Sequence, residues 1–246
     1  MADYTTIDNP AKHFNTLLFT GDGTSNRGIT GVGFQPDWLW LKTRSKTNSH
    51  ILIDVARGAN RLRSESTAAE ASVSGEFISF DTDGFTLTEN SSNEMNNNST
   101  TYATWNWLGA NGTASNSDGS IATTISANQT AGFSIVSYTG TGSAGTIGHG
   151  LGTTPAMGIF KNRSASSTHW RVWQQNLDND KILELSDTTV AHTPGTADFN
   201  ISNNSSTVWG LSTNSQSNGS GNSMIAYIFA EKQGYSKFGG WTGNGQ

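Results

Sequence analysis

The chain has 246 residues, 33% of them hydrophobic and 13% charged, with 28 glycines, 4 prolines and no cysteine; Ser, Thr and Asn make up roughly a third, which favours turns and excludes a long-helix or coiled-coil protein. Disorder is excluded by 8 Trp, 11 Phe and 5 Tyr, a large buryable surface, and a formal charge of −5 excludes the basic footprint of a nucleic-acid or anionic-membrane binder. Without cysteine there is no disulfide, thiolate metal site or cysteine nucleophile, so an all-β, turn-rich protein must draw its stability from packing and strand pairing.

Residues 1–13 read as an N-terminal arm. They lack the basic start and apolar run of a secretion signal, and no stretch of about 18 apolar residues occurs anywhere, so a chain made without a signal peptide and not inserted in a membrane is expected. Leu17-Leu18-Phe19 is a short apolar run ending in a Gly-x-Gly turn. Asp37 to Lys42 follows a proline and is apolar on both faces, which predicts a strand whose outer side meets another layer or module. His50 to Val55 reads as a third strand. Glu76 to Phe80, Asp81-Thr82-Asp83-Gly84 and Phe85 to Leu87 read as a hairpin with Asp-Gly at its turn. After the polar loop 90–101, Tyr102 to Trp107 closes the first unit. Helical signal is confined to a short turn within 56–70, which has no sustained 3.6-residue stripe.

Sliding the sequence by 119 positions places Phe14 on Phe133, Phe19-Thr20-Gly21 on Tyr138-Thr139-Gly140, Gly31 on Gly150, Pro36 on Pro155, Lys42 on Lys161, Arg44 on Arg163 and His50 on His169. The second copy has strands at Ile135 to Tyr138, Ala156 to Lys161, His169 to Trp173 and Met224 to Phe229, with Gly140 to Gly152 as a loop and a polar loop at 202–223. We therefore expect two tandem antiparallel β-sandwich modules of jelly-roll or concanavalin-like type, at 14–109 and 132–231. An Ala/Asn/Gly/Ser linker over 110–131 joins them, and the C-terminal segment 232–246 contains the start of a third repeat at Trp241-Thr242-Gly243-Asn244-Gly245.

These residues resemble a repeated module of tailed-phage virion proteins, of the tail-fibre or appendage type found in marine podoviruses. The likeness rests on Ile7 to Pro10 with His13-Phe14, Thr20 to Gly23, Ile29 to Trp38, Asp81 to Phe85, Trp105 to Trp107, His149 to Gly152, Phe229 to Glu231 and Gly234 to Gly239, and spans nearly the whole chain. It implies a concanavalin- or laminin-G-like sandwich located in a virion, other virion proteins as partners, and a binding or building role. It carries over no catalytic residue.

Chemical motifs are sparse. There is no Gly-x-Ser-x-Gly elbow. The paired carboxylates that glycoside hydrolysis needs, about 5 to 10 Å apart, have no strand-borne pattern, because Glu65 with Glu70 and Glu89 with Glu94 sit in loop-like segments. The Gly-rich 140–152 segment lacks the Lys-Ser or Lys-Thr ending of a phosphate cradle. Asp81 with Asp83, and Asp178 with Asp180, have the close oxygen spacing calcium prefers, although Asp-x-Asp-Gly is first of all a hairpin sequence. No cofactor is otherwise implied. The five histidines are scattered, and His50 and His169, equivalent in the repeat, read as hydrogen-bonding residues at strand starts rather than zinc ligands. Lys42-x-Arg44 and Lys161-x-Arg163 put two cations on a strand face, read as solvated strand ends. Among the tryptophans, the Trp38/Trp40 and Trp105/Trp107 pairs read as core, while Trp173 and Trp209 are the candidates for stacking on a glycan ring.

The expectation is a non-enzymatic virion structural protein, a homo-oligomer with a trimer favoured. The alternatives are a lectin-like module recognising a host surface glycan, a capsid decoration protein and, last, a polysaccharide depolymerase.

Overall fold

Strands that are apolar on both faces need two covers, and the fold supplies them. The computed structural model describes residues 5–89 and 94–244. The first four residues of the arm, the first four of the 90–101 loop and Gly245 of the third-repeat motif lie outside the described residues. In the first half the strands are β1 (Phe14–Thr20), β2 (Arg27–Thr30), β3 (Trp38–Thr43), β4 (Ile51–Asp54), β5 (Asn60–Arg61), β6 (Ala71–Ser72), β7 (Phe77–Asp81), β8 (Gly84–Leu87) and β9 (Thr101–Trp107). They form a sheet of order β1-β9-β3-β4 facing a smaller sheet β2-β8-β7, with β5-β6 as a side ribbon.

The second half contains β10 (Ala114–Asn116), β11 (Thr123–Asn128), β12 (Phe133–Thr139), β13 (Gly145–Gly148), β14 (Met157–Asn162), β15 (Arg171–Gln174), β16 (Leu183–Glu184), β17 (Val208–Leu211) and β18 (Ser223–Phe229). Its main sheet runs β10-β11-β12-β18-β14-β15-β16 and faces the ribbon β13-β17. Every pairing between these strands is antiparallel, so the all-β sandwich architecture holds. The order β1-β9-β3-β4 is matched strand for strand by β12-β18-β14-β15, and β2-β8 by β13-β17.

Alternation along each strand sorts side chains into three cores. Leu39, Leu41, Ile51, Ile53, Phe85 and Tyr102 fill the first sandwich. Val136, Phe160, Trp173, Trp209, Ala226 and Ile228 fill the second. Residues of the opposite parity, Trp38 and Leu52 on one side and Phe133, Ile135, Ile159, Trp170, Val172, Ile225 and Tyr227 on the other, form a third core between the two main sheets. The molecule is thus four sheets deep. Trp38 is the hub of the joint, stacked at 4.0 Å on Tyr227 and 5.7 Å from Phe133, with Trp107 at 4.3 Å.

Several expectations are corrected. Residues 110–131 are not a bare linker: β10 and β11 lie there, and β11 extends the second sheet because Ile121 and Ile125 alternate with polar residues and reach the core. The Gly140–Gly152 loop contains β13, and the polar 202–223 loop contains β17 and a four-residue helix, Ser215–Asn218. Within 56–70 the expected short turn is present, with the Gly58 amide donating to the Asp54 carbonyl at 3.0 Å, and beyond it the chain is extended, with β5 paired to β6. The arm is anchored by buried Ile7, 4% exposed, and a 3-10 turn at Pro10–Lys12. Residues 237–244 form no strand, and Trp241 stands 88% exposed.

Candidate functional site

Trp173 and Trp209, the expected sugar-stacking indoles, are 5% and 0% exposed. They meet edge to face at 5.7 Å inside the second core, and the Trp209 ring lies so close to Gly158 that a Cβ there would be 2.8 Å from it. Neither ring is open to a glycan. The expected calcium carboxylates go to separate protein partners. Asp81 accepts from Ser79 and Thr86 Oγ at 2.6 Å each, and Asp83 from the Gly31 and Gly33 amides at 3.0 and 2.6 Å. Asp178 pairs with Lys181 at 2.6 Å, and Asp180 accepts from Thr193. The hairpin reading of Asp-Gly is correct: Gly84 has φ +151° and lies so close to β2 that a Cβ would be 1.9 Å from the Ile29 carbonyl oxygen.

Of the two Lys-x-Arg strand ends, the first is solvated as expected, with Arg44 exposed and Lys42 half-buried on the Thr43 and Asn48 carbonyls, whereas the second is used inside the protein. Lys161 is fully buried, its Nζ donating to the Thr168 carbonyl, the Thr168 hydroxyl (2.8 Å) and the Thr67 carbonyl (3.2 Å), and burial lowers its pKa to about 8. Arg163 holds Glu70 of the first half with two bonds, 2.9 and 2.8 Å. Beside them Arg57, with a fully buried side chain, reaches Asp54 (2.5 Å), Glu70 (3.2 Å), the Leu52 carbonyl (2.8 Å) and Tyr227 Oη (3.1 Å), while Tyr227 donates to Asp54 at 2.7 Å. The Arg57, Arg163, Asp54 and Glu70 charges are paired and hydrogen-bonded across the joint, which is how a buried ion network survives its desolvation cost.

A second polar cluster is half open. In the pairing of β15 with β16, Arg171 sits opposite Glu184 and donates to its Oε1. His169 Nδ1 is 3.1 Å from Glu184 Oε2 and 3.9 Å from Asp187 Oδ2, and His192 Nε2 is 3.8 Å from Glu184 Oε1. Behind Arg171 lies Asp198, 2% exposed, held by Asn214 at 3.2 Å; burial raises its pKa to about 6, against the pull of Arg171. Arg171 and His192 also line a polar cavity of about 480 Å³ walled by Thr193, Thr196, Thr213, Asn214, Ser215 and Gln216. His50, the equivalent of His169, instead accepts from Trp40 Nε1 at 2.8 Å, and burial lowers its pKa.

The third feature is an aromatic cavity of about 360 Å³ where the joint opens, lined by Phe14, Trp38, Trp40, Trp107, Phe133, Met157, Phe229, Tyr235 and Phe238. Trp40 pairs across the strands with Trp105, as Trp38 does with Trp107. This row, read from sequence as module core, occupies the outward face of the first sandwich; Trp38 is covered by the second half, and the other three are half-buried. Sequence reasoning missed both cavities. The available signals were Arg171 between two apolar residues, which marks a buried ion pair, and the apolar second face of β3.

No helix among the described residues is long and apolar enough to cross a membrane. No curated protein and no solved structure matches the chain. The family model of the domain of unknown function DUF7483 matches residues 9–246, and the chain belongs to that family.

Proposed function

We propose that this protein is a non-enzymatic structural component of a bacteriophage virion, a tail-fibre or surface-appendage subunit that takes part in assembly and host contact. The observation that carries the reading is the joint. A shared aromatic core and a fully paired ion network couple the two sandwiches into one stiff body, the property a spacer between virion parts requires. The resemblance to tailed-phage modules supplies the setting and the expected partners, other virion proteins and copies of this chain.

The test is the mass of the purified chain by light scattering. A stable trimer at micromolar concentration is expected; a clean monomer would overturn the constitutive-oligomer reading and favour a decoration module. A second reading, recognition of a host surface glycan, is favoured by the aromatic cavity, where half-buried Trp40 and Trp107 offer ring faces near Ser236 and Tyr235. Binding on a glycan array that is lost in Trp40→Ala supports it, and no binding by the intact chain removes it.

A further inference from the structure

We propose that His169 Nδ1, Glu184 Oε2 and Asp187 Oδ2 form a binding site for a divalent transition-metal ion of the zinc class. The three atoms lie within 4.8 Å of one another. The 3.1 Å between His169 and Glu184 is close to the roughly 3.3 Å that separates two ligands of a tetrahedral zinc ion with bonds of about 2.0 Å. Asp187, 3.9 Å from the imidazole and within 4.8 Å of Glu184, lies on an exposed turn and needs to approach by about half an ångström towards His169 and by up to about 1.5 Å towards Glu184.

Each of the two carboxylates has one oxygen occupied and the other turned towards the His169 imidazole, whose Nδ1 also has Ser186 Oγ at 3.4 Å. Arg171 takes Glu184 Oε1, leaving Oε2 towards His169. Asp187 Oδ1 accepts from the Thr188 amide (2.6 Å), the Thr189 amide (3.2 Å) and the Thr189 hydroxyl (3.1 Å), leaving Oδ2 towards the same imidazole. The backbone of His169 is fixed by donation to Gln216 Oε1 at 2.7 Å, and Glu184 by its register opposite Arg171. Outer partners of this kind orient metal ligands.

One imidazole and two carboxylate oxygens without a thiolate suit zinc, cobalt or nickel; calcium, which takes six or more oxygens, is disfavoured. The His169 and Asp187 side chains are partly exposed, at 29% and 37%, while Glu184 is at 9%, so the fourth position faces solvent or a neighbouring molecule. The competing use of the same atoms is a protonated His169 bridging two carboxylates, which needs no metal. The first half offers an internal control, because His50 at the equivalent position is spent on Trp40.

The experiment uses the full chain without an affinity tag, stripped with EDTA and desalted, then titrated with zinc chloride by calorimetry, with cobalt chloride followed by its visible absorption. One zinc per chain is expected, together with the intense visible bands of four-coordinate cobalt. His169→Ala and Asp187→Asn are each expected to weaken zinc binding by about tenfold or more while leaving the metal-free thermal midpoint within a few degrees, and His50→Ala is expected to bind zinc as the parent does. Absence of zinc binding by the parent chain overturns the proposal, as does parent-like affinity in His169→Ala, or calcium binding equal to zinc. These outcomes are independent of the oligomer measurement, so the site and the virion reading fail separately.

Discussion

Lys161 shows what a single residue can be made to do when its strand is covered on both faces. Its ammonium is surrounded by neutral oxygens of Thr67 and Thr168, and burial depresses its pKa to about 8, whereas in the unfolded chain it titrates near the ordinary lysine value. Between those two values the unfolded state holds more protons than the folded one, so Lys161 makes stability rise with pH from about 8 towards 10; below 8 its charge is a constant cost. Urea unfolding of the parent and Lys161→Met at pH 7.5, 8.5 and 9.5 should show the parent gaining on the variant by about 1 kcal/mol per pH unit above 8; parallel curves would contradict this burial. In the sequence Lys161 looked like half of a Lys-x-Arg pair at a solvated strand end. Residue type and spacing were legible, but the cover over that face comes from residues 56–70, distant in sequence and without periodicity. The same limit explains Trp173 and Trp209. A tryptophan after a polar loop reads alike whether its ring turns inward or outward, and it is the missing side chain at Gly158 that draws Trp209 in.

At the scale of elements, the hairpins, the closing strands and the double-faced β3 were all legible because apolar alternation and Gly-bearing turns are local signals. β10 and β11 were not, because polar strands look like linker when only composition is weighed; two isoleucines four residues apart were the available clue. A single carboxylate organises the entry to this segment. Asp37 accepts from the Gly109 amide (2.7 Å), the Asn111 amide (3.0 Å) and the Gly112 amide (3.0 Å), so three donors at the bend after β9 depend on it. Burial nevertheless raises the Asp37 pKa. The equivalent position in the second half is Ala156, which has no carboxylate to offer. Replacing Asp37 by alanine is expected to cost about 2 to 4 kcal/mol, since donors buried at the bend lose their acceptor, and urea midpoints read this directly. A loss under 0.5 kcal/mol would mean that water replaces the carboxylate. β11 also makes the two halves unequal: β12 is paired on both sides, by β11 and β18, whereas β1 is paired with β9 alone among the described residues.

For the whole molecule, the joint decides how many folding units exist. The two halves share the Trp38-centred core and the network of Asp54, Arg57, Glu70, Arg163 and Tyr227, so separating them would expose stacked aromatics and strand charges bereft of partners. Calorimetry is therefore expected to show one transition rather than two, and Trp38→Ala to cost about 3 to 5 kcal/mol while keeping the transition single; two resolved peaks in the parent would show that the joint is weak. The sandwich architecture was legible from strand count and turn spacing, and the double-faced strands announced a further layer. What sequence left open was whether that layer belonged to the same chain, because parity says that a face is covered without saying by what. The parity itself has a consequence for descent. On β3, Leu39 and Leu41 answer to their own sandwich while Trp38, between them and the turn, answers to the neighbouring one, and β18 divides in the same way between Ala226 and Tyr227. Neighbouring codons are thus under different masters: one set can drift with its own sandwich, while the other must change in step with codons about one to two hundred positions away, so an exchange of halves between related genes succeeds only when the facing sets already agree.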